Sequence, residues 1–248
     1  MQSHEKIINL IKSSTKTVLL TGAGISTESG LPDFRSEKGF WTKNQPIQFK
    51  EFLRDKFQRR LSWSRNLELH KLLVNISPNS GHELVQRIVS LNRNNALITQ
   101  NIDGLHQKAG LKDDQIIEIH GNALKAACLT CFKESSIELF HDAVIRNLEL
   151  PDCPHCSGIV KVATISFGQP MNERDMIKAS DMTNECDLMI VMGSSLKVMP
   201  AGKIPAQAIS SGAKLVILNR EKTPYDDIAD VVIKDELKNI CSTLNELL

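Results

Sequence analysis

Several absences narrow the class of this 248-residue chain before any motif is read. No run of about 18 apolar residues occurs, which leaves no candidate for a membrane-spanning helix. The N-terminal stretch MQSHEKIINLIKSSTK lacks an uninterrupted apolar core and a small-residue cleavage site, so a soluble cytoplasmic protein is expected. Neither sign of charge dominates: 30 basic residues stand against 29 acidic ones, a formal net charge of +1, and the basic residues are spread along the chain. The electrostatic footprint of a nucleic-acid binder is therefore missing, and neither nucleic acid nor membrane is an expected partner. The densest basic run, Arg54 to Arg60, interleaves with Phe52, Leu53, Phe57 and Leu61 and reads as a solvated helix face. No heptad pattern stands out, so no oligomeric state is read. Six cysteines without a secretory signal belong in a reducing compartment, where metal binding is favoured over disulfides.

What is present is a globular α/β composition, 41% hydrophobic, enough for one large domain or for a domain with a smaller appendage. The chain is organised around TVLLTGAGISTESGLPDFR, Thr17 to Arg35. Val18 to Leu20 read as a buried strand breaking into Gly22-Ala23-Gly24, where the backbone can turn tightly and approach a ligand. Ser26, Thr27 and Glu28 then open a helix whose free N–H groups would face an anion, and Gly30-Leu31-Pro32 end it within about two turns. The third glycine of the usual dinucleotide fingerprint is missing, so a turn that merely joins strand to helix fits these residues too. The loop Asp33-Phe34-Arg35-Ser36 is expected to close over what is bound.

Residues 5–12 read as a short covering helix, 36–76 as a helical module without a strand, and His82 to Leu91 as an amphipathic helix after a turn cluster. Within Ala96 to Gly104 a strand ends in a cluster of amide and carboxylate side chains that includes Gln100, Asn101 and Asp103, and Ile116 to Gly121 repeat the arrangement, an apolar strand with His120 at its end and a glycine after it. Two such strands deliver amide, carboxylate and imidazole groups to one edge, where open α/β sheets place ligand chemistry. The other histidines read as structural hydrogen-bonding residues, whereas the strand-end position of His120 makes a general base an equal alternative. From Val160 the chain is expected to return through Ile165-Ser166-Phe167-Gly168 as a strand-like run, and three more follow at Asp187 to Met192, Lys214 to Leu218 and Asp230 to Ile233. Asn219 fits either a ribose hydroxyl contact or a turn. Cys128-x-x-Cys131, twenty-one intervening residues and Cys153-x-x-Cys156 form two thiolate knuckles. Four thiolates fill a tetrahedral shell, so one structural zinc is expected, and Cys186 and Cys241 read as buried inert thiols.

GAGISTESGLPDFR, TQNIDGLH, a strand-end HG, the cysteine knuckles, ISFG, GSSLKVMP and LVILN occur in one order over nearly the whole chain. In this the chain resembles the sirtuins, NAD-dependent protein lysine deacylases. The resemblance implies a Rossmann-like parallel-sheet domain over 1–35, 77–120 and 166–248. It also implies a small domain over 36–76 and 121–165, made of the helical module and a four-cysteine zinc ribbon. NAD and the acyl-lysine of a protein or peptide would enter between them. Ala23, Gly24, Thr27, Phe34, Arg35, Gln100, Ser194, Ser195 and Asn219 would line NAD, and Ile102 and Asp103 would hold the nicotinamide amide. Asn101 would position ribose hydroxyls and water, and His120 would be the general base. The products would be free lysine, nicotinamide and O-acyl-ADP-ribose.

Two departures bear on the substrate. The family's Phe-Gly-Glu reads Phe167-Gly168-Gln169, and a Pro-Asp-like pair is replaced by Val162-Ala163, in a stretch expected to pair with the peptide by strand addition. The Tyr-x-x-Arg pair of sirtuins that favour acidic acyl groups cannot be built, because the single tyrosine is Tyr225 and the spacing of Trp63 and Arg65 is wrong. Neutral acyl groups, acetyl first, are the expected substrates. A mono-ADP-ribosyltransferase on the same scaffold is the alternative, and a non-catalytic NAD sensor is disfavoured because it has no use for a base.

Overall fold

The computed structural model describes residues 2–32, 45–145 and 150–248, and every structural statement below concerns those residues. The strands are β1 (Thr17–Thr21), β2 (Ala96–Thr99), β3 (Ile116–Glu118), β4 (Gly121–Cys128), β5 (Glu134–Ser136), β6 (Val160–Thr164), β7 (Leu188–Met192), β8 (Lys214–Leu218) and β9 (Val231–Ile233). The α-helices are α1 (Gln2–Ser13), α2 (Phe49–Arg54), α3 (Lys56–Asn75), α4 (Ser80–Leu91), α5 (Leu105–Lys108), α6 (His141–Ile145), α7 (Glu173–Glu185), α8 (Ile204–Ser210) and α9 (Leu237–Leu247). No helix among the described residues is long and apolar enough to cross a membrane.

Six strands form one parallel sheet in the order β3-β2-β1-β7-β8-β9. Counting only this sheet's strands, the order is 3-2-1-4-5-6, the doubly wound dinucleotide-binding arrangement. Every residue of β1 and β7 is buried, because helices cover both faces. Strand alternation splits the apolar side chains between two cores. Leu19, Ile190 and Val216 pack with Ile7, Ile11, Leu84, Ile88, Ile240 and Leu244 from α1, α4 and α9. Val18, Leu20, Val191 and Ile217 pack with Ala179, Ile204 and Ala208 on the opposite face.

A separate antiparallel sheet runs β5-β4-β6. Its core joins Ala126, Cys128, Cys153, Val160 and Val162 to Trp63 and Leu67 of α3, with Ile137 and Phe140. The Trp63 indole N–H donates to the Val160 carbonyl at 3.2 Å, which fixes the helix on the ribbon.

Three local expectations are corrected. The segment after the glycine turn is a 3-10 helix, Ala23–Ser29, rather than an α-helix begun at Ser26. Gly24 N–H is drawn to the Gly193 carbonyl at 2.8 Å and Ile25 N–H to that of Gly22 at 3.1 Å, so the coil winds tightly before Gly30 stops it at φ 94°. The basic run does not lie on one helix face. Extended Asp55 (φ −116°) separates α2 from α3 and caps the latter by accepting from Phe57 N–H at 2.7 Å. Phe52 is buried while Leu53 and Phe57 are exposed. Finally, the return strand is Val160–Thr164 of the small sheet, and Ile165 to Gly168 follow it as irregular chain.

Candidate active site

The carboxyl ends of β1, β2 and β7 converge where the strand order reverses, the usual ligand crevice of such sheets. Glycines make the convergence possible. A Cβ on Gly22 would lie 2.8 Å from the Ser194 Cβ, and one on Gly24 would lie 2.8 Å from the Gly193 carbonyl oxygen. Gly193 itself is at φ +64° and would meet the Ile25 nitrogen at 2.4 Å. The turns after β1 and β7 therefore sit back to back.

A cleft of about 1010 Å³ opens from this point. Of the residues expected to bind cofactor, Ala23, Gly24, Thr27, Gln100, Asn101, Ile102, His120, Ser194, Ser195 and Asn219 line it. Asp103 lines an adjoining cavity of about 200 Å³ together with Ala23, Asn101 and Ile102. Phe34 and Arg35 lie outside the described residues. Gln100 Nε2 donates to Ser194 Oγ at 2.9 Å, bridging the ends of β2 and β7. Asn219 donates to the Glu221 carbonyl at 2.8 Å in a turn, and it also lines the cleft.

Below the cleft lies a buried polar layer. Ser26 Oγ donates to Asp103 at 2.7 Å and accepts from Asn101 Nδ2 at 3.1 Å, and Asn101 also donates to the Gly22 carbonyl. The Asn101 Oδ1 is buried without any partner, in a residue that lines both cavities. Burial raises the pKa of Asp103 against the opposing pull of its bonds from Leu105 N–H and Ser26. Behind these residues the rings of His82 and His106 stand 4.9 Å apart, and His106 Nε2 meets Thr21 Oγ1 at 3.0 Å. Burial depresses both histidines, His82 to about 4, so both are neutral, in keeping with a structural role. The sequence reading missed Ser26 as a site residue, since its type and position also suit a helix start. Only its later contact with Asn101 and Asp103 distinguishes it.

His120 follows β3 directly, and Gly121 begins β4 at φ +75°. His120 Nδ1 faces the Gln100 carbonyl at 3.0 Å, so this nitrogen carries the hydrogen and Nε2 keeps a lone pair. Burial lowers its pKa, which leaves the imidazole neutral at pH 7. A neutral imidazole of fixed tautomer in a ligand-sized crevice is equipped to take a proton.

The four knuckle cysteines are brought together, their sulfurs all within 4.8 Å of one another. Cys128 and Cys156 stand 3.5 Å apart, and Cys131 and Cys153 3.6 Å. Tetrahedral zinc with bonds of about 2.3 Å needs sulfurs separated by about 3.8 Å, so the cluster fits one such ion and offers it no other ligand. It lies in the small sheet and lines neither cavity. Cys186 and Cys241 are buried, their thiol pKa values pushed up to about 11 and about 12, chiefly by burial.

These features can be set beside known proteins. The family model described as Sir2 family matches residues 22–200. The chain is 41% identical over 233 residues to the NAD-dependent protein deacetylase of Rhodopseudomonas palustris, covering 94% of this chain and 92% of that protein. It is 39% identical over 252 residues to the protein of the same name from Thermodesulfovibrio yellowstonii, covering 99% and 96%. A solved complex described as Sir2-p53 peptide-NAD+ superposes with a TM-score of 0.85 at 33% identity, covering 98% of this chain and 97% of the other. A structure of Sir2 bound to acetylated peptide does so with 0.83 at 32% identity, covering 98% and 97%. With its glycine turns, polar strand ends and thiolate ribbon in the same order along the chain, this protein belongs to the Sir2 family.

Proposed function

We propose that this chain is an NAD-dependent protein lysine deacetylase, converting NAD, an acetylated lysine and water to nicotinamide, free lysine and O-acyl-ADP-ribose. The observation that carries the reading is that His120, held by the Gln100 carbonyl in the tautomer that leaves a lone pair on Nε2, and Asn101 line one NAD-sized crevice. Gly22 and Gly24, held without side chains, let the backbone approach the pyrophosphate, and Ser194, Ser195 and Asn219 offer hydroxyl and amide groups to phosphate and ribose. Asp103, fixed by Ser26 and by Leu105 N–H, and Ile102 receive the nicotinamide amide. Asn101 orients a ribose hydroxyl through Oδ1.

When bound, NAD supplies the ribose carbon that accepts the acyl oxygen as nicotinamide leaves. His120 removes a proton from a ribose hydroxyl through Nε2, and the Gln100 carbonyl holds the imidazole in the required tautomer. Phe34 and Arg35 complete the reading as residues of the closing loop. The chain divides into a nucleotide domain of 1–35, 77–120 and 166–248 and a small domain of 36–76 and 121–165, and its place is the cytoplasm. Trp63 is buried in the ribbon core while Arg65 lines both cavities and donates to the Gln45 carbonyl at 2.8 Å, so the reading of neutral acyl substrates rests on the missing tyrosine. Val162 packs in that core and Gln169 Oε1 accepts from Ser166 N–H at 3.1 Å, so the altered residues leave the peptide-facing stretch built.

The test is nicotinamide release that depends on an acetylated peptide. His120→Ala lowers the rate at which free lysine and O-acyl-ADP-ribose form by at least about 100-fold while zinc stays bound. Deacetylation at the wild-type rate refutes the base assignment, and transfer of labelled ADP-ribose to protein without deacetylation refutes the reaction.

A further inference from the structure

Lys161 lies on β6, the strand that passes from the ribbon to the cleft. Its neighbours Val160 and Val162 point into the ribbon core, so alternation turns Lys161 away from it. The residue is 3% exposed, yet it lines the cleft with His120 and Thr164. Its Nζ stands 5.9 Å from the centroid of the Phe52 ring of α2. No carboxylate pairs with it among the described residues. Its donors go to two main-chain oxygens, that of Val162 at 3.1 Å and that of Thr164. Burial pulls its pKa down to about 8, as befits a cation short of counter-charge.

A buried ammonium without an ion partner is costly, and a methionine would pack on Phe52 without that cost. What lysine adds is a grip on carbonyls. Those carbonyls lead into the segment beside His120, where Ile165 N–H donates to the His120 carbonyl at 2.8 Å and the Phe167 carbonyl accepts from Phe49 N–H at 2.9 Å. The segment is thus tied to His120 at one end and to α2 at the other, and Lys161 fixes its base against Phe52. The glycine turns, Ser194 and Asn219 follow strands of the parallel sheet and are not among the partners of Lys161.

Resting on the deacetylase reading, we propose that Lys161 is a positioning residue for the peptide substrate. It holds Thr164 to Phe167 as the wall against which an acyl-lysine segment lies, and it acts through those carbonyls rather than on the reacting atoms.

The test is steady-state kinetics of the full-length enzyme with acetylated peptide and NAD varied separately, for wild type, Lys161→Met and Lys161→Arg. Lys161→Met raises the peptide KM roughly tenfold and leaves the NAD KM within about twofold, with zinc content unchanged, and Lys161→Arg recovers most of the peptide KM. A folded, zinc-loaded Lys161→Met enzyme with wild-type peptide KM overturns the assignment. So does an equal rise in both KM values, or failure of both variants to fold, which places the residue in the fold alone. A wild-type chain that releases no nicotinamide in the presence of acetylated peptide sinks the deacetylase reading instead, before any variant is compared.

Discussion

His82 gives the buried polar layer a measurable energy. It is fully enclosed, accepts from Asn79 N–H through Nδ1 at 3.3 Å, and has a pKa of about 4 against an ordinary 6.5. Above pH 6.5 the residue is neutral in both folded and unfolded chains and contributes no pH dependence. As pH falls, the unfolded chain takes up the proton first, so stability is lost between about 6.5 and about 4. One pKa unit is worth about 1.4 kcal/mol, which makes the full loss about 3.5 kcal/mol and the share already lost at pH 5.5 about 1.4 kcal/mol. The perturbation is His82→Gln, which keeps an acceptor within reach of Asn79 and cannot titrate. Urea unfolding of both proteins at pH 8 and pH 5.5 is the assay. Wild type should weaken by about 1.4 kcal/mol more than the variant over that interval, since the thiolate cluster and His106 are common to both. Equal pH dependence in the two proteins would refute the argument. The consequence reaches the cleft, because His82 Nε2 lies 3.4 Å from Ser26 Oγ, the hydroxyl that fixes Asn101 and Asp103.

Three further outcomes are expected. Because burial lowers the pKa of His120, the acid limb of kcat/KM should fall below pH 6.5, and a limb above that value contradicts the assignment. Cys153→Ser should abolish zinc binding and loosen the small sheet, whose core includes that residue, with activity lost and not restored by added zinc. Full activity of a zinc-free variant would refute a structural role for the metal. Gly121→Ala places a Cβ 1.9 Å from the Ala163 carbonyl oxygen at φ +75°, so thermal unfolding should report at least about 1–2 kcal/mol of destabilisation. A neutral result would mean that the junction beside His120 is looser than its geometry.

Much of the parallel sheet was legible because its strands are short apolar runs ending in polar or small residues. Lys214–Leu218 was read to the residue, and Leu188–Met192 and Val231–Ile233 within one. The cysteine spacing carried the ribbon, but not its strands. Gly121 to Cys128 alternates weakly and borrows its burial from Trp63 and Leu67, residues distant in sequence. The winding after Gly22 escaped because a carbonyl supplied by Gly193, far along the chain, decides it. At the site, residue type and strand-end position pointed to His120, Asn101 and Asp103. Lys161 and Ser26 carry no such mark, since a lysine in a strand and a serine near a turn are commonplace until their partners are known.

The placing of β1 between β2 and β7 has a bearing on how the chain is made. Thr17 to Thr21 are synthesised long before one of their partners, for their register on one side is with Leu188 to Met192. The central strand of the nucleotide sheet must therefore wait, half-edged, until some 170 later residues have been synthesised. The ribbon depends on no such delay, for its strands and its four sulfurs all fall between Gly121 and Thr164. Metal capture can thus precede closure of the larger sheet, and early zinc starvation would leave the nascent chain with both of its sheets unfinished at once.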